Sequence, residues 1–527
     1  MRTQPDRRRF LGLAGGGALA VAVSSHLSDP GRAWAGTTFP DDPFRLGVAS
    51  GEPFSDSVLI WTRLALDPVS PDGTGGMPDS VVPVDWEVAE DERFAKIVSR
   101  GTASASPALG HSVHVEVAGL RPDRRYWYRF RAGGQLSPVG RTRTTPEASA
   151  AVRELKFAFA SCQNYPEGFF TAFTHLAAED LDFMVHLGDY IYEGGGTSTI
   201  GRGHLPTTEV FSLADYRVRF GQYKSDPELQ SAHAAFPWLV TVDDHDVENN
   251  WASSHSQPDS EPDQDPAVFL KRRADAFQAF YENQPLRLTA KPDGPDMQLF
   301  RRLPYGRLAT LHMVDTRQFR DVQPTLQEDR HDPARTMLGT EQERWLLDGF
   351  GRSRSRWDIL GNQVFMFQAD HTEGPDTRYG LDPWDGYTAA RQRLFNAVHD
   401  RQVDNFVVLT GDAHRSTAAD LKINFDDPGS ATVGAEFLGT SISSGRDGTA
   451  MDNLGRIWLA ENPHLRFHNA QRGYATCTVT HREWRTDYKI VPYVTRPDAP
   501  IQLAASVYVE GGVPGIRNVE PGPIDQA

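Results

Sequence analysis

Two patterns of apolar residues divide the chain. From residue 39 to residue 145 the chain has the pattern of short strands, and in His111–Val117 apolar side chains alternate with polar ones, which is the period of a half-buried strand. Further short strands are predicted at residues 57–63, 84–88 and 126–130. We therefore expect a small all-β N-terminal domain over residues 39–145, acting as a scaffold or, alternatively, as a ligand-binding module.

After a linker rich in Thr, Pro, Ser and Ala, apolar runs alternate with helical patterns. The helix at residues 266–284 has Asp265 to cap it and Pro266 in its first turn. Apolar strands are predicted at residues 155–160, 183–187, 239–242, 308–314, 359–367 and 406–409. Strands alternating with helices predict an α/β domain, which we assign to residues 153–493. Residues 494–527 are assigned as a C-terminal tail.

The first 35 residues have the order of an export signal. Arg7, Arg8 and Arg9 precede an apolar stretch, and Ala33 and Ala35 are the small residues of a cleavage site. The paired arginines predict a twin-arginine-type signal read by the twin-arginine export machinery, and hence a secreted or periplasmic protein. A membrane anchor is the alternative, but the run is short and contains three consecutive glycines.

Charge and hydropathy limit the classes of partner that the chain is expected to bind. The formal net charge is −16, which argues against bulk nucleic-acid binding, because such binding depends on phosphate neutralisation by Lys and Arg. No later segment reaches the length of a membrane-spanning helix, so no transmembrane segment is expected in the mature form.

Ligand-type side chains follow four of the predicted strands. The four segments are Ser161-Cys162-Gln163, Gly188-Asp189 through Tyr192 and Glu193, Asp243 through Asn249, and Gly411-Asp412-Ala413-His414. Because the carboxyl ends of strands form the ligand crevice of an α/β sheet, these groups are expected to converge. Each segment alone fits a turn or a solvated loop, but together they predict a metal site. Oxygen ligands suit a hard divalent ion, whereas thiolate and imidazole suit a transition metal.

The order of these motifs resembles the calcineurin-like metallophosphoesterases. Ser161-Cys162-Gln163 in place of their first Asp-x-His resembles the PhoD-like branch, which includes alkaline phosphatases and phosphodiesterases. The resemblance implies a four-layer αββα core, preceded here by a sandwich that the Leu-x-Pro turn before Tyr126 makes fibronectin-like. It also implies an Fe(III) and Ca(II) centre, with Cys162, Tyr192 and His414 on iron.

The same resemblance assigns further roles. Asp189 would bridge iron and calcium, and Asp412 would bind calcium, with Asp244 and Asn249 as further calcium candidates. This chain has Asp244 where the larger group usually has Asn. Because a sulfur that holds iron is unavailable for pairing, we expect no disulfide between Cys162 and Cys477.

The implied reaction is hydrolysis of small phosphate esters by metal-activated water, without a protein nucleophile. His245 is the candidate to contact phosphate or to protonate the leaving alcohol, and orienting the site is its alternative role. Arg317 and Arg320 are candidates to bind substrate, with a structural ion pair as the alternative. One rival function is a phospholipase D-like phosphodiesterase acting on phospholipid head groups. The other is an extracellular, non-catalytic binding protein.

Overall fold

The computed structural model describes residues 38–523. The export signal predicted at residues 1–35 therefore lies outside the described residues. Within that range, no helix is both long enough and apolar enough to cross a membrane.

The N-terminal part is built of eight short strands that form two facing layers. Their bounds are β1 (Val48–Gly51), β2 (Ser57–Arg63), β3 (Val82–Ala89), β4 (Ile97–Ala105), β5 (Ser112–Ala118), β6 (Arg125–Ala132), β7 (Gln135–Leu136) and β8 (Gly140–Arg143). Strands β1, β2 and β5 pair antiparallel and face the sheet of β3, β4, β6, β7 and β8 across a shared apolar core. At its edge, the phenol oxygen of Tyr126 accepts the N–H of Arg121 at 2.9 Å, which is the contact of a tyrosine corner.

The remaining strands complete two large sheets. Their bounds are β9 (Glu154–Ala160), β10 (Phe183–His186), β11 (Trp238–Val240), β12 (Arg301–Tyr305), β13 (Ala309–Met313), β14 (Trp357–Gly361), β15 (Phe406–Thr410), β16 (Ser416–Lys422), β17 (Thr432–Leu438), β18 (Gly448–Thr449), β19 (Leu465–Thr480), β20 (Glu483–Val491), β21 (Gln502–Glu510) and β22 (Asn518–Pro521). The first sheet has the order β5-β2-β1-β11-β10-β9-β19-β20-β21-β22. The second has the order β12-β13-β14-β15-β17-β16-β19.

Strand β19 belongs to both sheets. Its first residues pair with β16 in the second sheet, and its residues from Arg472 onward pair with β20 in the first. Gly473 lies near this change of sheet with φ +152°, and a Cβ there would run into the backbone of Lys489. The shared strand holds the two sheets face to face.

Within residues 38–523, seven α-helices cover the outer faces of the two sheets. They are α1 (Thr171–Ala177), α2 (Leu213–Lys224), α3 (Pro227–Ala235), α4 (Pro266–Asn283), α5 (Gly339–Arg352), α6 (Thr388–Asp400) and α7 (Asn453–Glu461). Helix α4 begins as predicted, because the carboxylate of Asp265 accepts the N–H of Ala267 and Pro266 occupies the first turn. Helices α1 to α4 pack on the first sheet, and α5 to α7 pack on the second.

Alternating strand residues show the four layers directly. In β10, Val185 points into the apolar core between the sheets, whereas Met184 packs under α1 to α4. In β15, Leu409 enters the same inter-sheet core and Val408 packs under α5 to α7. This is the period-two geometry of strands that are buried on both faces. The predicted fold class, an αββα core with a small β-sandwich before it, is confirmed.

Two segments differ from the strand pattern read in the sequence. The run predicted as one strand at residues 359–367 stops at Gly361, because Gln363 turns its side chain to bind Thr316 and the apolar residues after it pack as a loop under the outer helices. Residues 494–527, set apart as a tail, contain β21 and β22, which extend the first sheet. In β21, residues 504–507 and Val509 are buried, and Val507 and Val509 belong to the core between the sheets.

Candidate metal centre

Four loops meet where the strands of both sheets end. They follow β9, β10 and β11 in the first sheet and β15 in the second, and they carry Cys162, Asp189, Asp244 and Asp412. Gly188 lets two of the loops touch, since its φ is +107° and a Cβ there would collide with Asp243. Asp246 joins the same two loops by accepting the N–H groups of Tyr190 and Asp243 at 3.0 and 2.9 Å.

The backbone at these positions is strained. Cys162, Asp189, Asp412 and His414 have φ values of +60°, +54°, +66° and +55°, in the left-handed region that favours glycine. Each such residue costs about 1–3 kcal/mol and persists only where its surroundings impose it. Four such residues in one cluster indicate a site in which the positions of the side chains are maintained at the cost of backbone conformational energy.

The first group of ligand atoms has mixed chemistry. The sulfur of Cys162, a carboxylate oxygen of Asp189 and a ring nitrogen of His414 lie within 4.8 Å of one another. The phenol oxygen of Tyr192 is 3.1 Å from both Asp189 Oδ2 and His414 Nε2. The structure thus brings together the four residues that the family resemblance places around iron.

The second group links Asp189 to the next loop. Asp189, Asp244 and His245 have ligand atoms within 4.8 Å of one another. His245 Nδ1 lies 2.7 Å from Glu193 Oε2, and its ring stacks on that of Tyr192 with 4.3 Å between centroids. The imidazole is therefore fixed on two sides, while 23% of its side chain stays exposed.

The third group contains only carboxylates, from Asp243, Asp244 and Asp412, again within 4.8 Å. Arg317 lies beside them with no exposed side-chain surface. It binds Asp243 through Nε, and its Nη2 is 3.3 Å from Asp244 and 3.6 Å from Asp412. Asp189 and Asp244 are each shared by two groups, so the three groups form one continuous cluster.

The remaining predicted residues lie at the edge of this cluster. Arg320 is fully buried, donates to the carbonyl of Trp251 at 2.8 Å and pairs with Asp382 at 2.9 Å. These contacts favour the structural ion pair for both Arg320 and Arg317. The side-chain amide nitrogen of Asn249 donates to Gln257. Cys477 is a free thiol in the core between the sheets, and Cys162 is likewise free.

Family models identify the chain. The model for PhoD-like phosphatases matches residues 157–488, more than half of the sequence. The chain belongs to the PhoD-like phosphatase family. The model for the N-terminal domain of PhoD-like phosphatases matches residues 31–146.

Two relatives agree with this assignment. Alkaline phosphatase D of Bacillus subtilis (strain 168) is 46% identical over 532 residues, which span 98% of this chain and 89% of that protein. A solved structure of PhoD superposes with a TM-score of 0.88 at 48% identity and covers 91% of this chain and 93% of its own. This PhoD-like phosphatase is therefore a hydrolase of the alkaline phosphatase type, a phosphoesterase.

The buried carboxyl and thiol groups of the PhoD-like site would be stabilised in their charged forms by positive charge. Burial and the neighbouring Asp244 raise the pKa of Asp189 well above its usual value, and burial and Asp189 do the same for the Cys162 thiol. Burial raises the pKa of Asp243 to about 7, although Arg317 opposes it. The buried Oδ2 of Asp243 accepts no hydrogen bond from residues 38–523. A buried acceptor without a donor is costly, and bound cations would remove that cost, so the residues fit a metal centre.

The pKa values of the two imidazoles of the site are shifted in opposite directions. Burial opposes the charged form of His245, but Glu193 and Asp244 outweigh it and raise the pKa of the ring well above its usual value. Burial, reinforced by the charge of Arg472, lowers the pKa of His414 to about 3. These directions favour a neutral nitrogen donor at His414 and the protonated imidazole at His245, beside Glu193.

Sequence reasoning overlooked several members of the PhoD-like site. Asp243 and Glu193 stand in the quoted strand-end segments, so their position was a usable signal. Asp382 and Ser444 come from distant loops that show no pattern of their own. Ser444 reaches the phenol oxygen of Tyr192, and Arg472 supports its backbone by donating to the Ser444 carbonyl.

Proposed function

We propose that this PhoD-like phosphatase is an exported, metal-dependent enzyme that hydrolyses phosphate mono- or diesters by direct attack of water at a mixed Fe(III) and Ca(II) centre. The observation that carries the proposal is the continuous cluster in which Asp189 and Asp244 are each shared between neighbouring groups of ligand atoms.

The donor sets support two kinds of ion. Cys162, Tyr192 and His414, with Asp189, would hold Fe(III), since thiolate, phenolate and imidazole suit a transition metal. The oxygens of Asp189, Asp244 and Asp412 would hold Ca(II), which takes oxygen ligands. When bound, the cations would supply Lewis acidity that activates water and neutralises charge on the phosphoryl group.

His245 is positioned to handle the proton of the leaving group. Glu193 holds Nδ1, and Tyr192 stacks on the ring, so Nε2 remains for the substrate. A donor fixed in this way can protonate a departing alkoxide as the ester bond breaks. Glu193 itself is fixed, because its other oxygen accepts the N–H of Asn249 at 2.8 Å.

Export belongs to the same proposal and rests on the arginine pair and apolar run of residues 1–35. The export part of the proposal is tested separately from the catalytic part. Residues 1–35 fused to a reporter enzyme should direct export only in cells with an intact twin-arginine system, and Arg7→Lys with Arg8→Lys should abolish it. Export through the general secretory route would contradict this part.

The catalytic proposal is tested by parallel rates and metal content on one sample. The substrates are 4-nitrophenyl phosphate, bis(4-nitrophenyl) phosphate and phosphatidylcholine, which separate a phosphatase, a phosphodiesterase and a phospholipase D-like enzyme. We expect hydrolysis of the small esters together with bound iron and calcium. A calcium-selective chelator should inactivate the enzyme reversibly, with calcium restoring activity better than zinc. Full activity in an iron-free and calcium-free sample would contradict the mixed centre.

A further inference from the structure

A basic pocket lies near the amino ends of β13 and β14, whereas the metal centre lies beyond the carboxyl ends of the strands. The pocket has a volume of about 350 Å³ and is lined by residues at the start of β13, at the end of α5 and in the loop before β14. Four arginines contribute to it, namely Arg302, Arg307, Arg352 and Arg354. Such a concentration of positive charge is unusual on a chain whose net charge is −16.

The acidic side chains nearby do not balance these arginines. Asp358 is engaged with His312 Nε2 at 2.9 Å, and Asp348 approaches Arg352 only at 3.9 Å with both groups largely exposed. Across residues 38–523, neither Arg307 nor Arg354 forms an ion pair. Burial and the charge of Arg352 lower the pKa of Arg302, as expected where like charges crowd together.

The floor of the pocket is rigid. Arg302 lies over the Trp345 ring at 3.9 Å, and its Nε donates to His312 Nδ1 at 3.1 Å. Arg302 also donates to the carbonyl of Trp345 in α5, so one of its N–H groups is occupied by that helix. Arg307, Arg352 and Arg354 stand exposed at the rim, where they are free to reach a ligand.

Hydroxyl groups complete the lining. Thr310 and Ser355 lie 2.7 Å apart through their side-chain oxygens, and Ser353 lies beside them in the same loop. Guanidinium groups with hydroxyls are the side chains that recognise phosphate, because the planar fork of arginine donates two parallel hydrogen bonds to its oxygens.

The pocket is separate from the catalytic cluster. Thr310 and Ser355 lie at the amino ends of β13 and β14, whereas the metal centre lies beyond the carboxyl ends of the parallel strands. A five-residue strand rises about 16 Å, so one ligand of phosphate size cannot occupy both places. We propose that this pocket binds the phosphate group of an anionic ligand, at a site distinct from the catalytic centre.

The test counts phosphate sites on the intact enzyme. Equilibrium dialysis of labelled inorganic phosphate should reveal a second class of site, which the double variant Arg307→Ser/Arg354→Ser loses or weakens by about tenfold or more. Turnover of 4-nitrophenyl phosphate should stay unchanged in this variant. Methylenediphosphonate, which an esterase cannot cleave, serves as a second arm. Tighter binding of this compound than of phosphate at the variant-sensitive site would assign the pocket to linked phosphates, and the reverse would assign it to free phosphate.

The matched control is Arg100→Ser/Arg124→Ser, which removes the same charge from exposed positions outside the pocket. It should retain the second class of site. A single class of phosphate site in the wild-type enzyme, or equal loss in both double variants, would overturn the pocket. An enzyme that binds phosphate in the pocket but hydrolyses no ester would instead contradict the proposed function.

Discussion

The hydroxyl oxygen of Ser444 lies 2.7 Å from the phenol oxygen of Tyr192. Ser444 accepts the N–H of Asn164 at 3.0 Å, so its single proton is available for Tyr192 or for the carbonyl of Cys162 at 2.9 Å. If Tyr192 binds iron as a phenolate, it is the stronger acceptor of that proton. Ser444 then stabilises the Tyr192 phenolate by donating a hydrogen bond, as residues outside the ligand set commonly do for metal ligands.

The Tyr192 assignment predicts a visible signature. Phenolate and thiolate ligands on Fe(III) give charge-transfer absorption, so the purified enzyme should be coloured, and Tyr192→Phe should weaken or shift the band. Tyr190→Phe is the control, because that buried phenol binds His233 at 2.8 Å outside the ligand set. A colourless, iron-free and fully active enzyme would rule out the assignment.

Ser444→Ala should move the same band to lower energy, because a phenolate that loses its hydrogen bond donates electrons more readily to the metal. The absorption spectrum measures this shift at constant iron content. Ser443→Ala provides the comparison, since the Ser443 hydroxyl binds the carbonyl of Asn164 at 2.9 Å. An identical spectrum in wild type and Ser444→Ala would show that Ser444 does not bind a phenolate.

His245→Ala should leave metal content nearly intact and lower the rate by roughly 10²–10⁴-fold, the usual contribution of a general acid. The loss should be smaller for 4-nitrophenyl phosphate than for alkyl phosphates, because a good leaving group hardly needs the proton. Rates across a series of leaving groups check this. Equal losses throughout the series favour phosphate contact, and missing metal would make His245 a ligand or a support.

Arg317 distinguishes an ion pair from a substrate contact. Arg317→Met would leave the buried carboxylate of Asp243 without its guanidinium partner, and we expect a loss of about 3–5 kcal/mol in the free energy of unfolding, measured in urea. Arg124→Met, at an exposed position, should change it little. A raised KM at unchanged stability would instead restore Arg317 as a substrate-binding residue.

His114 should make folding sensitive to acid. Its ring is half-buried and stacks on Tyr281 at 4.3 Å, and its Nδ1 lies 3.0 Å from the carbonyl of Leu286. Burial lowers its pKa from 6.5 to about 4, so the unfolded chain binds the proton more readily. The stability that neutral His114 provides is present above pH 6.5 and is lost as the pH falls toward 4, by about 3 kcal/mol in all.

The measurement for His114 is the free energy of unfolding between pH 7 and pH 4. His114→Gln should flatten this dependence by about that amount, whereas His481→Gln, at an exposed turn, should leave it unchanged. Parallel pH profiles for wild type and His114→Gln would show that another group carries the acid sensitivity.

Much of the fold was predictable because its signals are local. The strand at residues 57–63 has the bounds predicted from the sequence, and α4 begins at its predicted cap. The ends of some strands were not predictable. The run from residue 359 stops at Gly361 because Gln363 finds a partner in Thr316, and that contact comes from another part of the chain.

The sequence by itself determined that polar ligand-type residues follow four buried strands, since apolar periodicity and its interruption are visible residue by residue. Only the tertiary structure decided how those residues meet. Strand β19 binds the two sheets face to face, and that arrangement brings Asp412 to Asp243, Arg317 to both, and Ser444 to Tyr192 across 252 residues. Contacts of this kind depend on the packing of distant segments, and no local pattern encodes them.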